Sequence, residues 1–136
     1  MPKEDYLLKY LEKLSRVIAA MLGFREKGFP EDSLRLADET FKELLDLNIN
    51  ELAIMPVEKF IQTIRKQGYS STHLEIMAQL AHETAKSLFA QGKEDNANLL
   101  YTKTLQLYYL LNEKDKTFSF EREQIISELE QLHNNN

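Results

Sequence analysis

The feature that most constrains this chain is a pair of apolar stripes at helical spacing in residues 72–112, with one short break between them. The first stripe is Leu74, Met77, Ala81, Ala85, Leu88 and Phe89. The second is Ala97, Leu100, Tyr101, Thr104, Leu105, Tyr108 and Leu111. Steps of three and four put each set on one face of an α-helix. The break, Ala90-Gln91-Gly92-Lys93-Glu94-Asp95, is short and holds a glycine suited to a left-handed helix end. Two helices joined so closely must lie side by side and antiparallel. Thr72 is expected to start the first of them as a capping box with Glu75.

The rest of the chain has few residues that interrupt helices. Among 136 residues there are Gly 4 and Pro 3, and most of these fall where an apolar stripe stops. The expected fold class is therefore all-α, with about five to six helices. Leu7, Leu11, Leu14, Ile18 and Met21, widened by Tyr10, Val17 and Leu22, predict a first helix from Lys3 to about Arg25. Gly28 closes it, and Pro30 suits the first turn of a second helix reaching about Leu47. Leu34, Ala37, Phe41, Leu44 and Leu45 form its inner face. These two helices make a first hairpin, residues 1–47.

Residues 48–71 separate the two hairpins. Asn48, Asn50 and Pro56 break this stretch, and Val57, Phe60, Ile61 and Ile64 predict one short helix ending at Gly68. Leu52, Ile54 and Met55 are too apolar for a solvated linker, so the insertion should pack down as a plug or bridge. After a polar turn at 113–117, Ser119 is expected to cap a last helix over 118–133. Phe120, Ile125, Ile126, Leu129 and Leu132 supply its apolar face. Residues 134–136 are expected to be a disordered tail, and 1–133 one domain.

Within 72–112, Ala85, Leu88, Gly92, Ala97 and Tyr101 are separated by three, four, five and four residues. This resembles the tetratricopeptide repeat, with Ala81 at its early aromatic position and Thr104 at its second small position on the return helix. An alanine at a helix crossing lets two backbones approach, and a tyrosine fills the space beside it. Ala37, Phe41 and Leu44 repeat the spacing of Ala97, Tyr101 and Thr104. The two copies stand 60 residues apart, against roughly 34 in contiguous arrays. The order of features also resembles a family of short bacterial proteins with no assigned activity. It shares with them Asp5-Tyr6 in the first helix and Leu44-Leu45-Asp46-Leu47 at the end of the second. The resemblance to tetratricopeptide arrays implies a final helix covering the end of the stack. It also implies an inner groove lined by Gln79, His82, Lys86 and Phe89, where Lys86 or His82 can meet a carboxylate or an extended peptide.

Composition excludes several function classes. Lys+Arg 17 against Asp+Glu 22 gives a net charge of -5, with no basic run, which argues against nucleic-acid partners. No cysteine is present, which removes disulfides and thiolate chemistry and fits a cytoplasmic location. The start of the chain does not read as a secretory signal, and no stretch reaches the roughly 20 apolar residues of a membrane span. His82-Glu83 lacks the second histidine of a zinc-peptidase motif, because position 86 is Lys86. His73 and His82, nine residues apart, cannot share a ligand face. Glu-x-x-His occurs once, at Glu130 and His133, where a di-iron bundle needs two such pairs on inward faces, and no phosphate loop or nucleophile elbow occurs. The expected protein is not an enzyme and carries no catalytic residue, cofactor or metal. It is a protein- or peptide-binding module. The alternative is a homodimer, joined through the first helix or a Tyr108/Tyr109 surface.

Overall fold

The last turn of each helix shows how the chain was divided. Gly68 (φ 64) and Gly92 (φ 83) both sit in the left-handed region that stops a helix without steric cost. The computed structural model describes residues 3–134, with side chains from 7 onward. The Asp5 and Tyr6 side chains and residues 135–136 lie outside it. Seven helices fill the described residues, and no strand occurs among them. They are α1 (Lys3–Glu26), α2 (Pro30–Leu45), α3 (Ile49–Ile54), α4 (Val57–Gln67), α5 (Ser71–Ala90), α6 (Glu94–Lys114) and α7 (Phe120–Asn134).

The all-α class is as expected, but the helix count is seven and several ends differ. The insertion carries two helices, because Asn48 is a cap as well as a breaker. Its side chain accepts the Glu51 N–H while Glu51 reaches back to the Asn48 N–H, a complete capping box. The box expected at Thr72 does not form. Ser70 caps α5 instead, accepting the His73 N–H at 3.2 Å, so the helix starts before Thr72. α2 stops at Leu45, where Asp46 turns left-handed (φ 58). Glu113 and Lys114 belong to α6, not to the turn after it. Asn134 is the last residue of α7, not part of a tail. Ser119 caps α7 as expected, accepting the Arg122 N–H.

Pairwise contacts set the arrangement. α5 and α6 pack along each other as an antiparallel hairpin, and this is the largest interface in the fold. α1 runs parallel to α5: Tyr10 meets His73 near one end, and Arg25 meets Glu83 towards the other. α2 returns antiparallel to both, with Lys13 on Glu43 at one end and Ser33 on Ser87 at the other. α7 runs back along α6, held by Arg122 on Asn112 and Glu130 on Tyr109. α1, α5 and α7 therefore point the same way.

The insertion packs along α6. α3 touches both α2 and α6, and α4 touches α6. Lys103 of α6 is 2% exposed and donates to the Ala53 carbonyl at 2.8 Å, near the carbonyl end of α3. Burial lowers its pKa. The Nζ–carbonyl bond is consistent with the preference of helix C-termini for cations.

One continuous core results. Phe41, Phe60, Met21, Leu52, Ile64, Met77, Leu100 and Leu111 are all but fully buried in it. The small residues Ala37, Ala81, Ala85, Ala97 and Thr104 have essentially no exposure, so the helices approach closely there. Several expected apolar positions lie on the surface instead. Leu7, Leu22, Ile54 and Phe89 are exposed, Phe120 is 70% exposed and Leu132 is also exposed, while Arg122 takes a buried position at the start of α7. Arg122 is held by Asn112 at 3.2 Å and Asp115 at 3.0 Å through its two terminal nitrogens, while its buried Nε has no hydrogen-bond partner among the described residues.

Candidate functional site

α5 packs against α1, α2 and α6, and its residue choices define the site. One flank buries Ala81 and Ala85 in the core. The next flank carries Gln79, His82, Glu83 and Lys86, separated by three, one and three residues. These four line one shallow cleft of about 280 Å³. Ile18 of α1 lines one side, Ile125 and Glu128 of α7 the other, and Tyr108 of α6 also lines it.

Three of the four residues expected in a groove are thus together: Gln79, His82 and Lys86. Phe89 is not among the lining residues; it stands 54% exposed near the end of α5. The insertion does not line the cleft, because α3 and α4 pack on α6 and leave the face between α1 and α7 unfilled. Sequence reasoning missed Ile18, Glu83, Tyr108, Ile125 and Glu128. Ile18 and Ile125 read as core residues in their own stripes, and only the packing of three helices turns them towards a common space.

Glu83 holds the electrostatics in place. Its carboxylate accepts from Arg25 of α1 at 2.8 Å, and both side chains are about nine-tenths removed from water (14% and 13% exposed). Lys86 reaches the other oxygen of the same carboxylate at 3.4 Å. Arg25 also donates to the Glu83 carbonyl and to Ser87, which shares a 2.7 Å bond with Ser33 of α2. This network joins α1, α2 and α5 behind the cleft. The groups left facing it are the Gln79 amide, the Glu128 carboxylate and the partly exposed Lys86.

His82 packs edge-on against Tyr101, ring centroids 6.0 Å apart. Burial lowers its pKa to about 4, and the nearby Lys86 cation adds to the shift. The folded value lies below the unfolded one of about 6.5, so between these values the unfolded chain binds the proton first. This stability is fully present above pH 6.5 and drains away as the pH falls towards 4. Acidification from pH 7 to pH 4.5 should therefore cost about 2 kcal/mol through this one residue. Urea unfolding at the two pH values checks it. His82→Gln should lose markedly less stability over that interval than the parent, and an unchanged loss would refute the assignment. Tyr108, also on the cleft, is pushed up to about 12 by burial and stays a neutral donor at any ordinary pH.

The arrangement offers hydrogen-bonding groups and apolar edges but no nucleophile paired with a base. His73 is elsewhere, packed against Tyr69 and Tyr10. No group of three or more His, Asp or Glu residues placed to hold a metal occurs among the described residues. No helix among them is long and apolar enough to cross a membrane. No protein-family model matches this chain, nor does any curated protein or solved structure, so its function has to be argued from the cleft itself.

Proposed function

We propose that this protein is a non-catalytic interaction module that holds an extended segment of a partner protein in the cleft between α1, α5 and α7. The observation that carries the reading is the common direction of these three helices, with Gln79, His82, Lys86 and Glu128 set between the aliphatic edges Ile18 and Ile125. An extended peptide presents alternating donors and acceptors along its backbone. The Gln79 amide can answer both, while Lys86 and Glu128 select charge at either side. Parallel helices lining one face are also the layout of a tetratricopeptide-like stack, in which α7 closes the end. The α1–α2 and α5–α6 hairpins supply two units of that stack, and the insertion lies along α6, away from the cleft.

Capture of partners from a native cell extract tests this. The wild-type protein should retain a partner that Lys86→Glu and Gln79→Ala lose at least tenfold, while Lys59→Glu on exposed α4 retains it. Equal capture by all four proteins, each shown to be folded by its thermal melt, would exclude the cleft as the binding surface.

A second reading is self-association through α1, where Leu8 is 57% and Leu22 38% exposed. The other surface considered for it offers only Tyr109, which is 36% exposed with its hydroxyl donating to Glu130 at 2.8 Å, because Tyr108 is buried. Sedimentation that returns one monomer mass at all concentrations removes this second reading and leaves the first untouched.

A further inference from the structure

We propose that a second, smaller cleft, between α4, α5 and α6, binds a small apolar monocarboxylate of about the size of benzoate. The floor is made by Ile64, Leu74 and Leu110, each at most 6% exposed. The cleft measures about 150 Å³, and an apolar void of this order accepts a single six-membered ring. Its lip is cationic in balance. Arg65 and Glu113 form a two-pronged pair, both contacts at 3.1 Å, and so neutralise each other. Lys114 donates to the Tyr69 carbonyl and makes no ion pair with any described carboxylate. That single bond holds the ammonium beside the opening, with two of its three protons unspent. Tyr69 forms part of the wall, its own ring packed on His73 at 4.1 Å.

These groups select a ligand class. A neutral hydrocarbon would use the floor and leave Lys114 unanswered. A dianion would bring a second charge that no unpaired cation on the lip answers, since Arg65 is already held by Glu113. One ring with one carboxylate matches one apolar floor and one net positive charge. The cleft is half open, so affinity should be modest, with Kd on the order of 1 mM. The site is independent of the peptide cleft, since no residue lines both.

Methyl NMR of the intact protein tests the proposal, with sodium benzoate, benzyl alcohol and sodium acetate as probes. Benzoate should shift the methyls of Ile64, Leu74 and Leu110 saturably. Benzyl alcohol should bind about tenfold more weakly, and acetate should leave those methyls unmoved. Lys114→Gln, a change at an exposed side chain, should bring benzoate down to the level of benzyl alcohol. Absence of saturable shifts at these three residues overturns the site. Equal binding of benzoate and benzyl alcohol, or unchanged benzoate binding by Lys114→Gln, overturns the carboxylate assignment.

Discussion

Replacing Glu83 with alanine should cost the fold about 3 kcal/mol. The reason is the side chain left behind. Arg25 is 14% exposed and its strongest partner is the Glu83 carboxylate at 2.8 Å. Without it the guanidinium keeps only the Glu83 carbonyl and the Ser87 hydroxyl, both at 3.2 Å. Breaking a buried pair by removing one partner typically costs 3–5 kcal/mol, and the remaining contacts place this case at the low end. Removing both charges is a different experiment. Arg25→Met with Glu83→Leu should recover to within about 1 kcal/mol of the parent, because neither desolvated charge then remains. Urea unfolding of the two single variants and the double variant reads this directly. A single Glu83→Ala variant as stable as the parent would show that the network is incidental.

Ala85→Leu should lower stability by about 3 kcal/mol, or the melting temperature by roughly 10 °C. Ala85 is fully buried on α5, the helix that touches α1, α2 and α6. Three added carbons have no space there unless the helices move apart. Ala20→Leu is the control. Ala20 is exposed on α1, and alanine and leucine have similar helix propensity, so the change should stay within about 0.5 kcal/mol. If both variants melt alike, close approach at Ala85 is not what holds these helices together.

These predictions rest on features with different sequence legibility. The small residues could be read directly, because an alanine in a leucine-rich stripe stands out by spacing. Arg25 and Glu83 could not, since 58 residues separate them and each looks like an ordinary surface charge on its own helix. The same holds for Lys103, a lysine buried on α6 because α3 happens to lie beside it. The cleft divides the same way. Gln79, His82 and Lys86 follow from one helical repeat, but Ile18, Ile125 and Glu128 come from helices far along the chain.

Sequence alone determined the helical class, the hairpin at residues 72–112 and the left-handed stops at Gly28, Gly68 and Gly92, because each is set by neighbours within a few positions. It also placed Ala37, Ala85 and Ala97 in the core. Only the tertiary structure decided that α6 is covered on several sides, burying Leu107 and Leu110 as well as its expected stripe. It also decided that Arg122, not Phe120, is buried in the first turn of α7, and that α1, α5 and α7 line one cleft. The physical reason is range. Periodicity and capping report which face a helix hides, whereas the identity of what hides it depends on contacts between residues that sequence does not bring together.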